Sequence, residues 1–194
     1  MAAARHSASR LVGHGSSRLC AGGPPIFIVG TTPAYVAHYR ATLAEGALWQ
    51  QPMDAVLGAS AARGIVKPDH AGKPLVGATF IGSHGLGGGG HAHGDHPYRV
   101  SGVLAPCGCV LDRLILTSTE SVWQVHEAAT ADDPEDLEIL KQEREVTVAL
   151  VRYRTPLAAV SLPRAINANT SMQAAAPAIE VTRLLRLLGV GADV

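Results

Sequence analysis

LILTSTESVWQVHE, residues 114–127, passes from a short β-type segment straight into a helical one, and this handover sets the fold class. Leu114 to Leu116 is apolar and bulky, as a buried strand requires. Thr117 and Glu120 stand at capping-box spacing, and Val122, Trp123 and His126 follow along the expected helix. A strand that feeds a capped helix so directly belongs to a mixed α and β architecture.

Working outward, the same alternation recurs. Upstream, PPIFIV (24–29) is a short apolar run, and Thr32-Pro33 then opens a helix, because Thr caps and Pro suits the first helical position. That helix is predicted to carry Val36, Tyr39 and Leu43 on one face and to stop near Gly46. Ala55 to Leu57 predicts a strand that turns at Gly58 into a small Ala-rich helix closed near Gly64. PLVGATFI (74–81) and YRVSGVL (98–104) predict two more strands, and Gly102 inside the second marks a bulge or the close approach of another backbone.

Downstream, ADDPEDLEILKQERE (131–145) is the one dense acidic run and reads as a solvated linker or surface helix. EVTVALVRY (145–153) alternates at Val146, Val148 and Leu150 as a strand does. Thr155-Pro156 opens another helix, and a last one, over about 176–188, holds Ile179, Leu184, Leu185 and Leu188 before Gly189. The expected class is α+β: a strand-helix subdomain of 24–48 plus 145–188, with an inserted β-rich subdomain over 49–130 and an acidic linker or surface helix at 131–144.

Composition narrows the function. With 194 residues and 47% apolar content the chain is long enough for a real core. Sixteen basic residues balance sixteen acidic ones, so no global field draws in nucleic acid, and no nucleic-acid partner is expected. No apolar run reaches the roughly 18 residues of a membrane span, so the chain as given is expected to be soluble. Residues 1–23 carry Arg5, Arg10 and Arg18 with no acid and read as a disordered leader, with a stretch not native to the fold and a transit peptide as the alternatives.

GSHGLGGGGHAHGDHPY (82–98) gathers four of the nine histidines. Gly85, Gly87 and Gly90 match G-x-G-x-x-G in form, but a dinucleotide site needs that turn to open a helix, and here Pro97 and a strand follow. The stretch instead reads as a loop between two strands. His84, His91, His93, Asp95 and His96 are candidate ligands for zinc, nickel or copper, since imidazole and carboxylate suit those ions, although the spacing matches no closed motif.

Cys107 and Cys109 are separated by one residue. Soft-metal binding and redox exchange are both open to such a pair, but the usual redox spacing is C-x-x-C, and Cys20 makes the count odd. Small buried cysteines beside a turn are the plainer expectation. His126-Glu127, Asp112-Arg113 and Asp69-His70 are neighbouring pairs with no serine elbow beside them, and Asp112-Arg113 is expected to be a turn ion pair. No catalytic constellation emerges, and no enzyme is expected.

The order of segments carries more than any single motif. IVGTTPAYVAHY, LAEGALWQQPMDAVLGASAA, VGATFIGSHGL, HPYRVSGVLAP, VLDRLILTSTESVWQVHE, LVRYRTPLAAVSLPRAIN and MQAAAPAIEVTRLLRLLGVG together resemble the extracytoplasmic domain of an ABC transporter permease of the MacB and FtsX type, from about residue 26 onward. The resemblance implies a strand-helix subdomain with a β-rich insertion, inserted between the first and second membrane helices of a permease. It also implies location on the outer face of the plasma membrane and an ABC ATPase subunit reached through the membrane part. A permease dimer and an extracytoplasmic substrate or partner protein complete the set. In that family the domain does no covalent chemistry and transmits ATP-driven movement. A stand-alone soluble metal-binding protein using residues 84–96 is the alternative expectation.

Overall fold

The structure is a computed structural model that describes residues 8–17, 26–65, 74–82, 96–131 and 133–189, with the backbone path alone for 8–17. In chain order the elements are β1 (Ala8–Ser17), β2 (Ile26–Thr31), α1 (Pro33–His38), β3 (Leu43–Gly46), β4 (Asp54–Leu57), α2 (Ala59–Ile65) and β5 (Thr79–Phe80). Then come β6 (Tyr98–Leu104), a 3-10 turn at Val110–Arg113, β7 (Leu114–Ser118), α3 (Thr119–Thr130), α4 (Pro134–Gln142), β8 (Val148–Val151), α5 (Pro156–Asn169) and α6 (Pro177–Leu187). The architecture is α+β.

Among the described residues the strands join one mixed sheet in the order β3-β6-β4-β7-β2-β1-β8, with β5 also against β6. β2 runs parallel to β7, Phe27 to Thr31 lying opposite Leu114 to Ser118. β4 is antiparallel to β7 and parallel to β6. The central strands are buried on both faces, which is why they read as continuous apolar runs without alternation. Ile28, Ala55, Leu57 and Ile115 pack with Ala61 and Ala62 of α2 and Val125 of α3 on one side. Val29, Val56 and Leu116 pack with Tyr35 and Val36 of α1 and Leu111 of the 3-10 turn on the other.

Several expectations are corrected by these pairings. Residues 1–23 are not wholly a leader without structure: β1 pairs antiparallel with β2, Val12 opposite Gly30 and Ser17 opposite Ile26, covering an edge that would otherwise be open. The first helix stops at His38 instead of continuing toward Gly46. Arg40 turns left-handed at φ 52°, and Leu43–Gly46 becomes β3 by pairing antiparallel with β6. Sheet hydrogen bonds to a distant strand outweigh the local helical period there. The run at 74–81 is strand only at Thr79–Phe80, after Gly77 turns at φ 90°. The run at 145–153 is strand only at Val148–Val151.

Gly102 does what its position in β6 suggests, twice over. The β4–β6 register slips between Ala55 and Val56, and a Cβ at Gly102 would lie 2.6 Å from Ala47 O. Its partner on β3 is Gly46, at φ 72°.

The expected division into a flanking and an inserted subdomain is also replaced. β2 and β3, from 24–48, bond directly to β7 and β6, from 49–130, so a boundary at residue 48 would cut the sheet. The chain divides instead into two compact units, Met1–Leu150 and Val151–Val194. In the second, Thr155 Oγ1 caps α5 by accepting from Ala158 N, and Asn167 grips Ala174 through both its amide atoms, at 2.9 and 2.6 Å. Its helices leave Leu157, Ile179, Leu184 and Leu187 exposed. The acidic run is a surface helix, α4, capped by Asp133, with no buried residue. No described helix is long and apolar enough to cross a membrane.

Candidate functional site

The loop that follows β6 is built around one carboxylate. Cys107 and Cys109 form a disulfide, with Cα atoms 5.2 Å apart, where small buried unbonded cysteines were expected. Both are half-buried against the side of the core that holds Leu104 and Leu111. Asp112 Oδ1 accepts from Cys107 N at 3.0 Å and Oδ2 accepts from Gly108 N at 2.9 Å, while Cys107 Sγ lies 3.4 Å from Oδ1. Asp112 therefore staples the loop to the 3-10 turn, in place of the expected ion pair with Arg113. Gly108 supplies the φ of 66° that the turn needs.

A second polar group sits within the sheet. Arg99 on β6 donates to Asp54 Oδ1 on β4 through Nε at 3.1 Å and Nη2 at 2.7 Å. Burial pushes the Asp54 carboxyl up, but the hydrogen bonds from Arg99 and from the backbone at Gln50 and Gln51, with the Arg99 charge, outweigh it and hold the group below its ordinary value. Thr117 Oγ1 donates to Asp54 O at 2.7 Å and lies 2.8 Å from Ser121 Oγ, which in turn accepts from Met53 N at 2.9 Å. Because Thr117 is spent on β4, Ser118 caps α3 instead, accepting from Ser121 N at 3.1 Å. The capping box moves by one residue from its expected place.

The third group clamps α3. Arg144 Nη2 donates to Glu127 Oε2 at 2.9 Å and Nη1 to Glu120 Oε2 at 3.1 Å, while its guanidinium lies 5.1 Å from the centre of the Trp123 ring. The hydrogen bond from Arg144 holds the Glu127 carboxyl below its ordinary value, against burial, and the same bond raises Arg144. Glu127 is thus engaged structurally and not set aside for acid-base work with His126.

Of the candidate metal ligands, His84, His91, His93 and Asp95 lie outside the described residues. His96 is half-buried just before β6. Among the described residues no group of three His, Cys, Asp or Glu side chains is placed to hold a metal ion. Asp69-His70 and Cys20 also lie outside the described residues. Sequence reading missed the staple, the Asp54–Arg99 pair and the Arg144 clamp. Only the first left a local signal, an aspartate three residues after the second cysteine.

Mixed parallel and antiparallel pairing around a doubly covered sheet, with helices fed directly from β2 and β7, is the pattern to compare. The chain matches the periplasmic region of MacB from Actinobacillus actinomycetemcomitans with a TM-score of 0.56 over 92% of this chain and 75% of that one, at 14% identity. It has the MacB periplasmic fold. The extracellular domain of the noncanonic ABC-type transporter YknZ from Gram-positive bacteria matches with a TM-score of 0.48, at 12% identity, over 84% of this chain and 74% of that one. No family model and no curated protein sequence matches the chain. The MacB-like fold agrees with the resemblance carried by the order of segments from residue 26, and within it the three polar groups act as internal braces.

Proposed function

We propose that the chain is the extracytoplasmic domain of an ABC transporter permease of the MacB and FtsX type. It is non-catalytic and transmits ATP-driven conformational change to a bound substrate or partner protein. The MacB periplasmic fold is the observation that carries this reading. A domain that passes on force needs braces across its sheet and along its helices, and Asp54–Arg99 and Glu127–Arg144 are such braces. In this reading a separate ATPase subunit works on the cytoplasmic side, and two permease copies assemble around it.

The test is recovery from native membranes. Antibody against the chain, applied to detergent-solubilised and crosslinked membranes of the source cells, is expected to recover an ABC ATPase with it. Protease added outside intact inner-membrane spheroplasts is expected to cut the chain. Recovery of the chain from the cytosolic fraction, without an ATPase and protected from external protease, would sink the proposal.

A further inference from the structure

The C-x-C disulfide does little for stability, and this makes its presence informative. A cross-link stabilises mainly by closing a loop in the unfolded chain, and the gain grows with loop length; Cys107 and Cys109 are separated by two positions, the shortest end of that scale. The folded loop is also held without it. Asp112 accepts the N–H groups of Cys107 and Gly108, and Ala105 N donates to Thr42 O at 2.8 Å. A staple of this kind adds rigidity where rigidity already exists.

What the loop does offer is sulfur chemistry beside an exposed glycine. Gly108 is exposed, and a Cβ built on it meets nothing within 4 Å, so another backbone can approach the pair closely. Cys107 Sγ faces the Asp112 carboxylate at 3.4 Å. In the disulfide this sulfur has no proton to give. In the dithiol its S–H finds an acceptor already in place. The loop is therefore shaped to hold the reduced pair as well as the oxidised one.

We propose that Cys107-Gly108-Cys109, with Asp112 beneath it, is a thiol–disulfide exchange site that takes a dithiol partner. A partner thiolate attacks Cys107 Sγ, the Cys107–Cys109 bond breaks, and Cys109 leaves as the thiolate and takes up a proton. The partner's second thiolate then attacks the partner sulfur of the mixed disulfide, forming the partner's own disulfide. Cys107 is released, is protonated, and donates its S–H to Asp112 Oδ1. Two electrons and two protons pass from the partner dithiol to this chain. Asp112 sets the polarity, since negative charge building on Cys107 as leaving group would meet the carboxylate, and the sulfur that leaves more easily is the one spared that repulsion. This site stands apart from the transporter reading and does not depend on it.

The experiment uses the full native chain and glutathione as the probe. After acid quench, alkylation and tryptic digestion, the peptide between Arg99 and Arg113 carries both cysteines and excludes Cys20. The expected result is reduction of the native pair at a rate within about tenfold of that in the urea-unfolded chain, with far-UV circular dichroism unchanged. The trapped glutathione adduct is expected on Cys107, and Asp112→Asn is expected to spread it to Cys109 as well. Slower native reduction, loss of structure on reduction, or an adduct found chiefly on Cys109 of the native chain would each overturn the proposal. The wild-type measurements decide this even if the Asn variant folds poorly.

Discussion

Arg99 Nη2 lies 2.7 Å from Asp54 Oδ1, tying β6 to β4 across 45 residues of sequence. The two ends differ in setting: the Asp54 side chain is 3% exposed, the Arg99 side chain 51%. Truncating the aspartate therefore removes acceptors from Arg99 and from Gln50 N, whereas truncating the arginine leaves a nearly buried carboxylate without its cationic partner. Arg99→Ala is expected to cost about 2 kcal/mol in urea unfolding at neutral pH, and less at about pH 2, as protonation of the carboxyl removes its charge. An equal cost at both pH values would refute the pairing.

Acid should loosen the fold through two carboxyls. Asp54 and Glu127 are both held below their ordinary values in the folded state, the first by Arg99 and its backbone donors against burial, the second by Arg144. Their contribution is complete above the unfolded carboxylate range near pH 4 and is lost as pH falls through the lower folded values. Urea midpoints should fall between pH 5 and pH 2, as estimated from those ranges. Asp54→Asn with Glu127→Gln should flatten that slope, as measured by the same titration.

Arg144 serves three neighbours at once. Arg144→Met should leave Glu127, whose side chain is 8% exposed, without its donor and cost about 2 kcal/mol. Trp123 reports on it directly, because the guanidinium sits over its ring while Nε1 donates to Glu145 O at 2.8 Å. A change in Trp123 fluorescence, with Trp49 replaced by Phe to isolate the signal, is expected alongside the loss of stability. An unaltered spectrum would show that Arg144 does not lie there.

The start of α3 separates two readings of the same residues. Ser118→Ala should cost about 1 kcal/mol as a lost cap. Thr117→Val should also destabilise, but by leaving Asp54 O without its donor and not by uncapping the helix. Restoring a cap with Asp at position 118 should rescue the first loss only; guanidinium unfolding of the three variants decides it.

Gly102→Ala tests a close backbone approach in the sheet. The new methyl would lie 2.6 Å from Ala47 O, a backbone atom with little room to move. A cost of about 1 to 3 kcal/mol is expected, whereas Gly108→Ala, open on its Cβ side, should show only the smaller penalty of its positive φ. Thermal melts of the pair would rank them.

Much of the secondary structure was legible locally. The strand-to-helix steps at 55–64 and 114–127, the surface helix in the acidic run and the two last helices follow from apolar spacing, charge density, Gly stops and the Thr155-Pro156 start, all signals contained within a few residues. The order of those segments also sufficed for the resemblance to a MacB-type domain. The Gly102 approach was visible because a glycine within a strand has few other reasons to be there.

What the sequence could not decide are the pairings. β3 reads locally as helix because its β character comes from β6, with Gly46 and its partner Gly102 lying 56 positions apart, and no neighbouring residue encodes that partner. The expected subdomain boundary failed for the same reason, since parallel bonding of β2 to β7 joins segments that composition alone separates. The shift of the α3 cap to Ser118 needed Asp54 O to claim the Thr117 hydroxyl. The joining of Cys107 to Cys109 over Asp112 needed the turn that brings them together. Local preference is worth tenths of a kcal/mol to about 1 kcal/mol per residue, and a buried strand partner or charged hydrogen bond matches or exceeds it. Segments were therefore written in the sequence, and their neighbours were chosen by the folded sheet.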